Sequence, residues 1–453
     1  VFRRLLVANR GEIALRIIRA CRTAGIEPVA VFSEADRGAP WLTEAEETIC
    51  IGPARASESY LAAASILQAA EQTGCQALHP GYGFLAENPV FAACCEQQGL
   101  TFVGPGAGAI RRMGDKVESK RTFAAAGLPT IPGSPGVLES AEEGKRLAAE
   151  IGYPVILKAT AGGGGRGMRI CRGEAELEEG FSEAALEAGN AFGNAGLYLE
   201  KFISGGRHIE FQVLCDRYGN GIHLGERECS VQRNHQKLVE ESPSPVLKAG
   251  ERDRFGAAVA RAVAGFGYRN AGTVEFLRSP EGDLYFMELN ARLQVEHPVT
   301  EMLTGVDIVQ EQLRIAANRK LERKQEGIRF SGHAMELRIN AEDPAERFRP
   351  DPGVITCFAP PVSGRNGVEV RWDSVVQEGY RIPPHYDSMI GKLIVKGETR
   401  ERTLEGALLA LDSMVVEGVK TTIDLQRRIL DHDRFRSGEY DVDFLSGSGL
   451  LKG

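Results

Sequence analysis

The chain has 453 residues, 43% of them apolar, and its 54 basic residues against 62 acidic leave a net charge of −8. That length fills about three domains, and the acidic balance argues against nucleic acid or an anionic membrane as the main partner. There is no run of about eighteen apolar residues to span a bilayer. Nine cysteines are scattered without a C-x-x-C spacing, and the N-terminal VFRRLLVANRGE has the shape of a first strand and not of a signal peptide. Together these predict reduced thiols and a cytoplasmic protein.

Residues 1 to about 113 alternate strand and helix: RLLVAN, a helix from Gly11 to about Ala24, PVAVFS, a helix around Tyr60 to Gln72, ALHPGYG, a helix around Val90 to Gln98, and TFVGP. This βαβα rhythm predicts a parallel sheet covered by helices. The first strand-to-helix turn, Asn9-Arg10-Gly11-Glu12, lacks G-x-G-x-x-G, so it supports a dinucleotide site poorly, and Gly11 serves a tight turn. HPGYGFLAEN, His79 to Asn88, ends a strand where open parallel sheets place ligand crevices.

Residues 114 to about 330 change character. GDKVESKRTFAAAGLP carries Lys116 on a helix ended by Gly127 and Pro129. In YPVILKATAGGGGRGMRICR two β-rich runs, the first holding Lys158, flank Gly162, Gly163, Gly164, Gly165 and Gly167. Bare amides in such a loop can close over phosphates at a cost in chain entropy. No Lys-Ser or Lys-Thr follows, so this is not a Walker A loop. A glycine run alone is more often a linker; the strand lysine beside it tips the reading to a nucleotide lid. LYLEKFI places Glu200 and Lys201 on an apolar strand, suited to adenine contacts. The next segment supplies His208, Glu210, Gln232, His235 and Lys237, more than a charged face needs. A helix from about Glu251 to Phe266 is ordinary core packing.

TVEFLRSPEGDLYFMELNARLQVEH, Thr273 to His297, reads as a hairpin. With Pro280 to Asp283 as the loop, Ser279 pairs with Leu284, Leu277 with Phe286, and Glu275 faces Glu288. Two opposed carboxylates repel unless a cation lies between them. If the chain stays extended, Glu288, Asn290, Arg292, Gln294 and Glu296 share one face. Oxygen donors of this kind suit Mg²⁺ shared with phosphate. An exposed, salt-bridged edge is the bland alternative, and the paired register together with the lysines and glycines upstream outweighs it. A helix starts near Asp307, and LERKQEG reads as a linker. From about 331 to 453, a strand with Arg338, short strands around GVITCF, VEVRWDS and GKLIVKG, and helices Glu401 to Met414 and Thr421 to Leu430 predict an α+β domain.

NRGEIALRIIRA, HPGYGFLAEN, GDK, KATAGGGGRGM, ERECSVQRNHQK, ELNARLQVEHPVTE, GHAMELRINAEDP and PPHYDSMIGKL together resemble biotin carboxylase, the ATP-grasp component of biotin-dependent carboxylases. The likeness runs over essentially the whole chain in the family's motif order. It implies a mixed α/β and α+β architecture: a Rossmann-like N-terminal domain over 1–113, an ATP-grasp domain over 114–330 with a mobile lid at about 131–204, and a C-terminal domain over 331–453. Nucleotide contacts would fall on Lys116, Lys158, the Gly162 to Gly167 loop, Glu200, Lys201, His208, Gln232 and His235. Mg²⁺ or Mn²⁺ would fall on Glu275, Glu288 and Asn290. Bicarbonate would meet Lys237, Arg292, Gln294, Val295 and Glu296, with Glu296 as base, and Arg338 would stand beside the biotin ureido oxygen. Asn234 stands where a second Arg is expected, and Ala291 where Thr is common.

The implied reaction is ATP- and bicarbonate-dependent carboxylation of biotin through carboxyphosphate, as the first half-reaction of acetyl-CoA carboxylase in fatty acid synthesis. A pyruvate or propionyl-CoA carboxylase component, or another ATP-grasp ligase with an acyl phosphate, is the alternative. A nucleotide-binding homologue without activity would have lost a base or a metal ligand, and none is lost. No Met-Lys-Met tripeptide is present, so biotin is expected on a carrier protein or on a region of the protein outside this sequence, with carboxyltransferase subunits and a second copy of the chain as further partners.

Overall fold

Residues 2–160, 167–362 and 367–451 are described by a computed structural model. The N-terminal part forms a parallel five-stranded sheet of β1 (Arg4–Val7), β2 (Glu27–Ser33), β3 (Glu47–Gly52), β4 (Ala77–His79) and β5 (Thr101–Phe102), in the order β3-β2-β1-β4-β5. Helices α1 (Gly11–Thr23), α2 (Ala63–Gln72), α3 (Pro89–Gln97) and α4 (Ala107–Gly114) intervene or follow. Ile13, Ile17, Ile18 and Cys21 form the buried stripe of α1 that meets Leu5 and Val7. β3 went unread in the sequence because it is a largely exposed edge strand, ETICIG, whose only buried residue is Ile51. His79 is a fully buried core residue, and burial pulls its pKa down to about 3.

Helix α5 (Lys116–Ala125) leads to a small antiparallel layer of β6 (Val155–Ala159), β7 (Met168–Cys171) and β8 (Leu197–Lys201), ordered β7-β6-β8. Helices α6 (Ala141–Ile151) and α7 (Glu174–Phe192) pack beside it around Leu138, Val155, Leu157, Leu177 and Leu199. Gly162, Gly163, Gly164 and Gly165 lie outside the described residues. Gly167 is described, with φ +70, and an added Cβ would sit 3.0 Å from Ala159 Cβ. That close approach and the left-handed backbone both require glycine.

An eight-stranded antiparallel sheet carries the rest. Its strands are β9 (Arg207–Cys215), β10 (Gly221–Arg233), β11 (Gln236–Ser242), β12 (Asn270–Arg278), β13 (Leu284–Asn290), β14 (His333–Asn340), β18 (Glu369–Ser374) and β19 (Met389–Gly397). Their order is β13-β12-β9-β10-β11-β14-β19-β18. Shorter pairs are β15 (Glu342–Asp343) with β16 (Arg349–Pro350), and β17 (Cys357–Ala359) with β20 (Val415–Glu417). The sheet continues across residue 331, because β11 pairs with β14 through Val239↔Leu337 and Glu240↔Glu336. Helices α8 (Ala249–Gly265), α9 (His297–Thr304) and α10 (Ile308–Ala316), then α11 (Arg400–Ser413) and α12 (Ile423–Asp431), complete the chain's main elements.

The hairpin differs from expectation in two compensating ways. The loop is one residue longer, so Arg278 pairs with Leu284 and Leu277 with Tyr285, in place of Ser279 with Leu284 and Leu277 with Phe286. An irregularity between Glu275 and Phe276 then leaves Met287 unpaired and exposed. This β-bulge restores the register, and Glu275 does face Glu288. The strand ends at Asn290; residues 291–296 bend and turn into α9, which carries Pro298 in its first turn. Pro prefers that position, so the predicted extended face does not continue to Glu296.

Candidate active site

Lys237 is the hub. It stands just after a two-residue hairpin turn between β10 and β11, Asn234-His235, both with positive φ (48 and 63). Asn tolerates this left-handed backbone better than most residues. The Lys237 ammonium donates to Glu210 Oε2 (2.6 Å), Glu275 Oε1 (2.9 Å), Gln294 Oε1 (3.3 Å) and Glu296 Oε1 (2.6 Å). Neighbouring strands and the turn before α9 thus converge on one cation. Burial opposes its charge, but these carboxylates outweigh burial and hold the ammonium's pKa well above its ordinary value.

The same contacts act in reverse on the acids. Burial would raise Glu275, yet Lys237 and His208, whose Nε2 lies 3.1 Å from Glu275 Oε2, hold it well below the usual carboxylate range. Glu296 is likewise lowered: burial is outweighed by Lys237, Arg338 and Arg227. Glu210 goes the other way, because its burial is not fully offset by Lys237 and by Arg227, whose Nε donates to Glu210 Oε1 at 2.6 Å. Glu288 is also raised, by burial first and then by the facing Glu275 charge, with Lys116 opposing.

Two arginines border this cluster. Arg292 Nε donates to Glu87 Oε2 at 2.7 Å, and its Nη2 donates to Asn290 Oδ1 at 2.9 Å. Arg338 on β14 gives Nε to Glu240 Oε1 (2.7 Å), and Nη2 both to that oxygen and to Glu296 Oε2 (3.0 Å). Lys237, Arg292, Val295 and Arg338 line a cavity of about 450 Å³ together with Tyr82, Gly83 and Tyr386. The backbone of Val295 is pinned by buried Lys392, which donates to its carbonyl at 2.9 Å.

The predicted nucleotide residues divide into two groups. Lys158 on β6 donates to Glu200 Oε2 at 2.7 Å, and Lys120 on α5 donates to Glu200 Oε1 at 2.9 Å. Lys201, by contrast, turns its ammonium to the carbonyls of Gly152 and Tyr153 (2.9 and 3.0 Å). Successive strand residues point to opposite faces, so its side chain cannot join that of Glu200, and only its backbone remains on offer. Gln232 sits opposite Lys237 in the ladder, while His235 is exposed at the turn. Lys120, Arg227, Glu240 and Glu87 were not among the predicted site residues. Arg227 and Glu240 left little signal, because β10 (GIHLGERECSVQR) and β11 (QKLVEES) carry many polar residues; Lys120 left none beyond its helix.

The residues expected to hold a metal fit a divalent cation in chemistry. Glu275 and Glu288 face each other, and Asn290 presents a carbonyl oxygen beside them while its Nδ2 has no hydrogen-bond partner among the described residues. His208, Glu210 and Glu275 bring three ligand atoms within 4.8 Å of one another, but with the Lys237 ammonium bonded to two of them. Glu275 is already met by Lys237 and His208, so Glu288 is the carboxylate of the facing pair that has no ion-pair partner among the described residues.

A small antiparallel layer bearing Lys158 and Glu200, beside a large antiparallel sheet bearing Lys237, the glutamates and Asn290, is the build of an ATP-grasp ligase. Residues 1–110 match the biotin carboxylase N-terminal domain, 115–324 the ATP-binding domain of the carbamoyl-phosphate synthase L chain, and 336–447 the biotin carboxylase C-terminal domain. The chain is 52% identical over 446 residues to biotin carboxylase 1 of Bacillus subtilis, covering 98% of each. It superposes with TM-score 0.94 and 46% identity on a Campylobacter jejuni biotin carboxylase–β-γ-ATP complex, covering 98% of this chain and 99% of that one. With the biotin carboxylase dimer of Hydrogenobacter thermophilus 2-oxoglutarate carboxylase, bound to MgADP, ADP and bicarbonate, the TM-score is 0.93 at 49% identity, over 99% and 98% of the chains. The chain belongs to the biotin carboxylase family.

Proposed function

We propose that this chain carboxylates biotin at N1′ with ATP and bicarbonate, on a biotin carboxyl carrier protein. The observation that carries the reading is the four-way grip on Lys237 beside Arg292, Arg338 and the Glu275–Glu288 pair, a set of charges sized for a small anion next to a metal–phosphate edge. Lys116, Lys158 and Gly167 would meet the nucleotide from the lid side, joined by Glu200, the Lys201 backbone, His208 and Gln232. Glu275, Glu288 and Asn290 would hold Mg²⁺, which when bound neutralises phosphate charge and aligns the γ-phosphoryl group.

Bicarbonate is a poor nucleophile. Held by Lys237, the Arg292 fork, Gln294 and the Val295 backbone, it loses its proton to Glu296 as its oxygen attacks the γ-phosphorus, and ADP leaves. Glu296 is a weak base while Lys237 and Arg338 grip it. An anion that takes Lys237 for itself loosens that grip and raises the basicity of the carboxylate when it is needed. Carboxyphosphate then divides into CO₂ and phosphate, phosphate takes the N1′ proton, and N1′ attacks CO₂. Arg338 stabilises the enolate-like ureido oxygen that develops, and closure of the lid keeps water from the acyl phosphate.

Acetyl-CoA carboxylation in fatty acid synthesis is the proposed context, with carboxyltransferase subunits and a second copy of this chain as partners. Bicarbonate-dependent ATP cleavage that free biotin stimulates, with carboxybiotin formed in step, is the expected result. Cleavage indifferent to biotin would move the chain to another ATP-grasp ligase.

A further inference from the structure

Two buried glutamates face each other beside Arg338. β11 and β14 pair with Glu240 directly opposite Glu336, which puts their Cβ atoms about 4.5–5.5 Å apart on one face of the sheet. Neither side chain is exposed. Glu240 Oε1 accepts from both Nε and Nη2 of Arg338. Its Oε2 and both oxygens of Glu336 have no hydrogen-bond partner among the described residues. Two ionised carboxylates in such a place would repel and leave three acceptors desolvated. One proton changes this, because a protonated carboxyl becomes a donor to the other.

The charges around the pair are already committed. Lys392 on β19 pairs in register with Arg338, and its ammonium goes to Glu12 Oε1 (3.1 Å) and Val295 O (2.9 Å). Asp373 on β18 is held by Arg371 at 2.7 Å. On α9, which packs against β14, Glu301 is bound by Arg16 and Arg371 at 2.8 Å each, and His297 Nδ1 lies 2.8 Å from Gln294 O. Lys237 and Glu296 lie beyond Arg338 and hold each other. Among the described residues no cation bonds Glu336 directly.

We propose that Glu240 and Glu336 share one proton, with the Glu336 acid donating to Glu240 Oε2, and that this pair is the positioning device that presents Arg338 to biotin. The proposal rests on the role given to Arg338 above. Burial raises Glu240 to about 7 against the pull of Arg338, and burial lifts Glu336 well above the usual carboxyl range against Lys392. A second negative charge here would compete with the developing ureido oxygen for the guanidinium. A missing donor would free the Glu240 carboxylate to rotate away from it.

The test compares Glu336→Gln with Glu336→Leu. The Gln amide can still donate to Glu240, whereas Leu cannot. Infrared difference spectra at pH 7 are expected to show a buried protonated-carboxyl carbonyl band in the wild type that disappears in Glu336→Gln. Carboxybiotin formation in Glu336→Gln is expected within about threefold of wild type, while Glu336→Leu loses on the order of tenfold, the loss of one buried hydrogen bond, and loses more of it than of biotin-independent ATP cleavage. At alkaline pH the wild-type band and the carboxylation rate should decline together, with Glu336→Gln holding its rate to higher pH. A band that persists in Glu336→Gln, or a Gln variant as impaired as the Leu variant, overturns the proposal. Should Glu336→Leu fail to fold, the spectrum and pH profile of Glu336→Gln decide alone. Arg338→Gln run in parallel separates the two ideas: normal carboxylation there refutes the role of Arg338, independently of whether the proton is found.

Discussion

Arg338 Nη2 lies 3.0 Å from Glu296 Oε2, while Lys237 Nζ holds the other oxygen of the same carboxylate at 2.6 Å. The group proposed for the second half-reaction therefore touches the base proposed for the first. Glu296→Gln removes the base, so bicarbonate-dependent ATP cleavage should fall with and without biotin. Arg338→Gln removes one of the cations that hold Glu296 low, which makes the remaining carboxylate a stronger base at neutral pH. Biotin-independent ATP cleavage should survive in that variant, while carboxybiotin formation falls on the order of a hundredfold or more with the loss of a charged donor. Phosphate release and carboxybiotin measured on the same samples check both. If Arg338→Gln loses ATP cleavage as fully as Glu296→Gln does, Arg338 belongs to the bicarbonate or phosphate site.

The Glu275–Glu288 pairing predicts the outcome of reversing one charge. In Glu288→Lys an ammonium replaces a ligand, and it can neutralise Glu275 but cannot bridge two phosphates as a divalent ion does. Mg²⁺-dependent ATP turnover should be abolished with thermal stability kept or raised, since a repulsive pair becomes an attractive one. Turnover at the wild-type rate would refute the metal assignment.

The hairpin also shows how far the residues alone carry such an argument. Its key contact was legible because alternation and loop length can be counted, yet the count was right only because a longer loop and the bulge at Met287 cancel. An apolar strand says that the adjacent Glu200 and Lys201 point apart, but not that the Lys201 ammonium turns to the Gly152 and Tyr153 carbonyls and leaves its backbone for the nucleotide side. Lys120 on α5 reaches Glu200 on β8, eighty positions away in the chain, and local periodicity holds no information about that. The bend after Asn290 was signalled by Pro298 but outweighed by the regular spacing of polar residues. Charges buried in β10, β11 and β14 satisfy one another only after the strands are paired, so their partners become visible with the sheet.

Asn234 gives a local stability prediction. With φ +48 it occupies a backbone region that costs most L-residues about 1–2 kcal/mol and costs glycine nothing. Asn234→Gly should leave the melting temperature close to wild type, and Asn234→Val should destabilise by about 1 kcal/mol or more. Because Lys237 is the second residue after the turn, the Val variant should also weaken bicarbonate binding, read as a raised KM. Equal melting temperatures for Val and Gly variants would argue that the turn has another geometry.

The last prediction concerns stability in acid and lies away from the reacting groups. Glu241, paired through β11 to the opposite face, accepts from Arg400 Nε at 2.7 Å and Nη2 at 3.0 Å, and from the Tyr440 hydroxyl, with His333 Nε2 2.9 Å away. Burial alone would raise its pKa, but His333 and Arg400 outweigh burial and bring it from 4.5 down to about 2. A carboxyl whose pKa is lower in the folded than in the unfolded chain stabilises the fold above its unfolded pKa. That contribution is lost as pH falls through the folded value, here between about 4.5 and 2. The gap corresponds to about 3 kcal/mol. Glu241→Gln cannot titrate, so its deficit against wild type should be largest near neutrality and shrink by about that amount as pH falls to 2. Denaturant unfolding of both proteins at several pH values between 2 and 7 measures it. A deficit that stays constant across that range would mean that Glu241 is not held ionised by these partners, and the loss in the variant would then come from packing.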